Sequence, residues 1–172
     1  IEILKRYDDL IHHTYRKLNE DQLKLIKKAF DVAWDAHKDQ RRKSGEPYIF
    51  HPIAVAKIVA EEIGLGATSI AAALLHDVIE DSDYTADVVN GLTKISVMNN
   101  QNISVQSENY RKLLLTLSDD FRVILIKIAD RLHNMRTLDS MRPDKQKKIA
   151  SETVYIYAPM AHRLGLYNIK SE

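Results

Sequence analysis

Apolar residues recur along this chain every three or four positions, and strict apolar/polar alternation is rare, so the pattern predicts helices rather than strands. The first clear stripe is Leu23, Ile26, Phe30, Ala33, Trp34 and His37. It follows the cap candidate Asn19 and the acids Glu20 and Asp21, which predicts a helix from 20 to about 39. A polar break, Arg41-Arg42-Lys43-Ser44-Gly45-Glu46-Pro47, then reads as a loop, punctuated by its Ser-Gly and Glu-Pro pairs. A second helix is predicted from Pro52, whose missing N–H would be unpaired in a first turn anyway, to just before Gly64, burying Ile53, Ala56, Val59, Ala60 and Ile63. A third opens at the cap candidate Thr68. It carries the small run Ala71-Ala72-Ala73 and then Leu74-Leu75, suited to close packing, into His76-Asp77.

The stretch from Ser82 to Ser104, rich in Asn, Gly and Ser, supports no firm assignment. Helical spacing returns from about Ser107 to Leu117, and Ser118 then caps a long segment from Asp119 to about Ser140. Phe121, Ile124, Ile128, Leu132 and Met135 form its stripe, and Val123, Leu125 and Ile126 make it apolar nearly all round, as in a central helix. The last helix follows Pro143 and passes through Ile149, Ala150, Thr153, Val154 and Tyr157 towards Ala161. A kink is expected at Pro159, which lacks the N–H that the turn requires. No internal repeat is visible.

Composition agrees with an all-α fold: only 5 glycines and 4 prolines occur in 172 residues. The length is about 1.1 times the usual domain size, so one domain covering 1–172 is expected. With 45% hydrophobic residues, a chain of this size can bury about two-thirds of its unfolded surface without a staple. The chain has no cysteine, which removes thiol chemistry and thiolate metal sites and suits a reducing, cytoplasmic location. The 25 basic side chains balance 24 acidic ones, so the basic excess that nucleic-acid binding requires is missing. Apolar runs such as Val123-Ile124-Leu125-Ile126 fall far short of the roughly 20 residues of a membrane span. The opening Ile1-Glu2-Ile3-Leu4 has no initiator Met or signal pattern, and the expectation is a piece of a longer gene product.

The chemistry concentrates at His51 beside a helix start, the adjacent pair His76-Asp77, the acids Glu80-Asp81 beyond it, and Asp130 inside an apolar helix. Burying a carboxylate among Ile126, Ile128, Ala129 and Leu132 is costly unless hydrogen bonds or a cation compensate. A salt bridge from Arg131, Arg136 or another basic residue would serve, and so would a metal. Two imidazoles and two carboxylates with no thiolate form a donor set for a divalent ion that keeps water ligands. The adjacent His12-His13 pair reads as surface, because neighbouring helical residues point in different directions.

These residues lie in longer words: Arg42-Lys43-Ser44-Gly45-Glu46-Pro47-Tyr48-Ile49-Phe50-His51-Pro52, Ala73-Leu74-Leu75-His76-Asp77-Val78-Ile79-Glu80-Asp81, Ile126-Lys127-Ile128-Ala129-Asp130-Arg131-Leu132-His133-Asn134-Met135-Arg136-Thr137-Leu138, and Tyr157-Ala158-Pro159-Met160-Ala161-His162-Arg163-Leu164-Gly165. In that order they resemble the HD phosphohydrolases, and more narrowly the N-terminal hydrolase domain of the RelA/SpoT homologues, bacterial stringent-response enzymes that make and degrade (p)ppGpp. The resemblance covers most of 20–169. It implies an all-α HD bundle and a Mn²⁺ ion held by His51, His76, Asp77 and Asp130, with Glu80 and Asp81 activating the attacking water. The implied reaction is hydrolysis of the 3′-pyrophosphate of (p)ppGpp, releasing pyrophosphate and leaving GDP or GTP.

The resemblance also implies that Arg42 packs on the guanine, with Lys43 and Ser44 beside it, that Asn134 and Thr137 face the same pocket, and that Lys147 helps bind phosphates. Residues 160–172 look like the entry into a synthetase domain, an in-chain partner. One departure is that only Ala86-Asp87-Val88 joins Asp83-Tyr84-Thr85 to Val89-Asn90-Gly91, where the family usually carries a further helical stretch. Two other functions are considered. One is a catalytically silent guanine-nucleotide-binding domain that regulates an attached synthetase. The other is an HD phosphohydrolase for a different nucleotide, against which Arg42-Lys43-Ser44, Asn134 and Thr137 argue.

Overall fold

Asn19 caps the longest described helix through its side chain. Its Oδ1 accepts from the Gln22 backbone N–H at 2.9 Å, and Gln22 Oε1 accepts in return from the Asn19 N–H at 3.0 Å, so two otherwise unpaired donors are satisfied at once. The computed structural model describes residues 2–15, 17–78 and 121–172. The chain divides into two compact units, Ile1–Asn100 and Gln101–Glu172.

In the first unit, α1 (Glu2–His12) precedes α2 (Glu20–His37). Helix α1 lies where the sequence reading made no assignment. It docks by burying Tyr7 and Leu10, with the Tyr7 ring 4.3 Å from that of Phe30 on α2. Helix α3 (Phe50–Lys57) begins two residues before the expected Pro52. The Phe50 and His51 N–H groups bond the Pro47 and Tyr48 carbonyls three residues back, so a tight turn at 47–50 runs directly into the helix. A widened turn, Ile58–Glu62, follows, in which the Ile63 N–H bonds the Ile58 carbonyl five residues back, and Gly64 ends it at φ 78°.

Helix α4 (Ala67–Leu75) is capped by Gly66, not by the expected Thr68. The Gly66 carbonyl accepts from both Ser69 and Ile70, which places Thr68 inside the first turn. Helix α4 packs against both α2 and α3. Ala71 and Ala73 are fully buried along with Leu74 and Leu75, so small side chains at the contact allow the backbones to approach closely.

In the second unit, α5 (Phe121–Arg136) carries the apolar segment, and a short 3₁₀ turn, Leu138–Ser140, follows the break at Thr137. Helix α6 (Pro143–Glu152) starts on its proline as expected. A widened turn, Thr153–Tyr157, then leads into α7 (Ala158–Arg163), giving Pro159 room where a regular turn would clash. Within this stretch Val154 is 62% exposed, while Ile156 and Tyr157 pack on Ile124, Ile128, Met160 and Ala161. Gly165 at φ 74° closes α7, its N–H bonding His162 and the next N–H, of Leu166, bonding Ala161. The short α8 (Tyr167–Ser171) follows, and its Ile169 joins the same cluster.

Among the described residues there is no strand, only an isolated bridge between Arg41 and Pro47. No described helix is long and apolar enough to cross a membrane.

Candidate metal centre

The loop after α2 is built as a three-residue hairpin. The Tyr48 N–H bonds the Gln40 carbonyl at 3.1 Å, the Arg42 N–H bonds Glu46 at 2.9 Å, and the Gly45 N–H turns back to the Arg42 carbonyl at 2.8 Å. Gly45 takes φ 88°, the left-handed position that such a hairpin places third in its loop and that glycine fills without strain. Lys43 and Ser44 are thereby held exposed at the tip, and Arg42 is half-buried at its base. From Tyr48 the chain enters the turn that starts α3 and delivers His51.

His51 is 3% exposed, on the first turn of α3. His76 and Asp77 stand at the C-terminal end of α4, and one ligand atom from each of the three residues lies within 4.8 Å of the others. Asp77 Oδ2 is 3.1 Å from His76 Nε2 and 3.4 Å from His51 Nε2, with the two rings edge-on at 5.1 Å. The His76 Nδ1 atom lies 2.7 Å from the Ala73 carbonyl. A carbonyl only accepts, which assigns the proton to Nδ1 and leaves the Nε2 lone pair directed at the carboxylate. Two electron-rich atoms at that distance require a positive charge between them, either a proton or a metal ion. Burial pushes the Asp77 carboxyl up; with a proton as that charge, the positive His76 and hydrogen bonds from His51 and His76 outweigh burial and hold Asp77 well below the ordinary carboxylate range. The donor set therefore fits a divalent cation, with His76 oriented by a backbone carbonyl as metal-ligating histidines commonly are.

Asp130 belongs to the second unit, on α5, where it is half-buried and accepts from Asn134 Nδ2 at 2.8 Å one helical turn on. Both arginines named as partners for it also have another carboxylate partner. Arg131 bonds Glu152 at 2.9 Å and lies 4.4 Å from the Tyr157 ring centroid, and Arg136 reaches Glu172 at 2.6 Å. Thr137 turns its hydroxyl to the His133 carbonyl at 3.0 Å, and Lys147 is exposed on α6. Glu80 and Asp81 lie outside the described residues, as does the shortened stretch at 84–93. His12 and His13 are both exposed, as expected, with Nδ1 atoms against the Asp8 and Asp9 carbonyls.

Sequence reasoning gave Tyr48 no role. Its hydroxyl donates to Asp77 Oδ2 at 2.9 Å, a contact across 29 residues that no local pattern announces.

A family model described as "HD domain" matches residues 29–167, and the chain belongs to this family. Its curated relatives include the guanosine-3′,5′-bis(diphosphate) 3′-pyrophosphohydrolase of Vibrio cholerae, 48% identical over 179 residues that take in 96% of this chain and 25% of the relative. The bifunctional (p)ppGpp synthase/hydrolase SpoT of Escherichia coli is 50% identical over 168 residues, 90% of this chain and 24% of that protein. The chain thus spans about a quarter of the length of the curated relatives it matches. The Vibrio alignment, at 179 positions, is longer than the 172 residues present, so the relative carries residues that this chain lacks. A solved structure described as a metazoan ortholog of SpoT that hydrolyzes ppGpp shares the fold, with a TM-score of 0.63 at 22% identity, covering 88% of this chain and 99% of the other.

Proposed function

We propose that this chain is a metal-dependent hydrolase of the 3′-pyrophosphate of (p)ppGpp, releasing pyrophosphate and leaving GDP or GTP. The observation that carries the reading is the convergence of His51, His76 and Asp77, with Nε2 of His76 3.1 Å and Nε2 of His51 3.4 Å from the same Asp77 oxygen. Identity of about half with relatives named for this reaction supports the substrate. We assign the ligand set as His51, His76, Asp77 and Asp130 and the ion as Mn²⁺. A bound divalent cation supplies Lewis acidity, lowering the pKa of its water and offsetting charge that grows on the phosphoryl oxygens.

The remaining work falls to the chain's own residues. Glu80 and Asp81, following His76-Asp77, are assigned to orient the attacking water and take its proton. Arg42 is assigned to the guanine face, since a planar guanidinium stacks where an ammonium cannot, with Lys43 and Ser44 beside it on the rigid hairpin. Asn134, Thr137 and Lys147 complete the nucleotide contacts, and the Asn134 bond to Asp130 links that group to the ligand set. We read 1–172 as one HD hydrolase domain, since the family match runs through both units. Residues 160–172 are read as leading towards a synthetase domain, in a cytoplasmic enzyme.

The products test this reading. Incubation of the 172-residue chain with ppGpp and Mn²⁺, resolved by anion-exchange chromatography, gives GDP and pyrophosphate in equal amounts. Loss of a 5′ phosphate, or release of single phosphates, would overturn it.

A further inference from the structure

We propose that Tyr48 is a positioning residue for the metal centre: its hydroxyl fixes the Asp77 carboxylate, Gln40 holds its backbone, and His37 packs against its ring. The inference rests on the metal reading above and concerns a residue outside the ligand set.

The phenol donates at 2.9 Å to Oδ2 of Asp77, the same oxygen that lies 3.1 and 3.4 Å from the two imidazole Nε2 atoms. The last torsion of an aspartate is broad and nearly two-fold, so a carboxylate held only by prospective metal ligands would be free to turn. A phenol can stop that rotation without neutralising the charge. A lysine or arginine in its place would compete with the cation for the same carboxylate, whereas a neutral O–H donor leaves Asp77 anionic.

Tyr48 is itself tightly held. Its backbone N–H bonds the Gln40 carbonyl at 3.1 Å, and its ring lies 4.7 Å from that of His37. His37 is 1% exposed, and its Nδ1 is 2.7 Å from the Gln40 side-chain oxygen. Gln40 therefore grips the tyrosine through its backbone and the histidine through its side chain. A buried histidine beside the centre is in this way occupied in packing the phenol. The same hairpin carries Arg42, Lys43 and Ser44, so one short element sets both the nucleotide-side loop and the orientation of a ligand.

The test is Mn²⁺ binding to the full 172-residue chain without nucleotide, followed by the electron paramagnetic resonance signal of free Mn²⁺, for the native protein, Asp77→Ala and Tyr48→Phe. Phenylalanine keeps the ring and its packing on His37, so a merely structural role would leave affinity unmoved. Positioning predicts that Tyr48→Phe keeps the native circular dichroism spectrum but binds Mn²⁺ about tenfold or more weakly, within the range found for groups that orient ligands. If the native chain binds Mn²⁺, Asp77→Ala loses it, and Tyr48→Phe binds like the native chain, the metal reading stands and the role of Tyr48 falls. If the native chain takes up no Mn²⁺, the metal reading fails and this inference fails with it.

Discussion

Asp77 is where burial and attraction oppose each other, and attraction wins because two imidazoles meet its carboxylate. Replacing it with alanine removes the anion that gathers the cluster, so Asp77→Ala is expected to lose Mn²⁺ binding and turnover together. Glu80→Ala is expected to keep Mn²⁺ and ppGpp binding while turnover falls by about 10²–10⁴, the usual contribution of a general base. Isothermal titration with Mn²⁺ separates the two roles, and equal metal loss in both variants would contradict them. Gly45 makes a different demand. A Cβ there would meet nothing within 4 Å, so the cost of Gly45→Ala is backbone strain alone, about 1–2 kcal/mol. The strain falls on the loop carrying Lys43 and Ser44, so KM for ppGpp rises while Mn²⁺ affinity holds; an unchanged KM would remove this loop from the nucleotide site. The histidines and Asp77 were legible because an adjacent His-Asp pair and a histidine at a helix start are unusual in an apolar setting. Tyr48 was not, because a tyrosine reads as packing until its hydroxyl partner is known.

At the scale of elements, α1 is held by apolar contact and by one ion pair. Asp9 of α1 bonds Lys57 of α3. The hydrogen bond from Lys57 lowers the Asp9 carboxyl, outweighing burial, and the Lys57 and His13 charges act in the same direction. In return, Lys57 is raised, first by that bond. The Asp9 contribution is therefore complete above the ordinary carboxylate pKa of about 4 and is lost as pH falls through the lowered folded value. The Lys57 contribution is complete below about 10.4 and is lost only above it. Thermal melts should show Asp9→Asn less stable than the native chain at pH 6, with the gap closing towards pH 3; a gap independent of pH would contradict this. Phe30 of α2 is fully buried against Tyr7 and Trp34, so Phe30→Ala should cost about 3–5 kcal/mol in urea unfolding.

Helix α2 was readable to within two residues because its cap, acids and stripe agree. The cap of α4 was misread because glycine caps through its backbone and leaves no side-chain signal, whereas Thr68 advertised a cap it does not make. The widened turn at 58–62 has no sequence signature either, whereas the one at 153–157 leads into Pro159, where the sequence predicts a kink. In the second, Val154 lies on the exposed side while Tyr157 packs inward.

At the scale of the whole molecule, the helical class followed from the three-to-four-residue period and the scarcity of glycine and proline, and family membership agrees with it across 29–167. The order of the four motifs named the family, since each alone is too short to be specific. The Vibrio relative carries residues that this chain lacks, and the sequence placed such a shortfall between Thr85 and Val89, just beyond Glu80-Asp81. The pair proposed to activate water thus adjoins the segment where this chain departs from its relatives, and the proposed activity is most exposed to change there.

The measurement that tests the account most directly is the rate of pyrophosphate release from ppGpp by the 172-residue chain as purified, after chelation, and after Mn²⁺ is restored. The account predicts release that stops with chelator and returns with Mn²⁺. Release that persists through complete metal removal, or ppGpp bound with no release at any Mn²⁺ concentration, would contradict it.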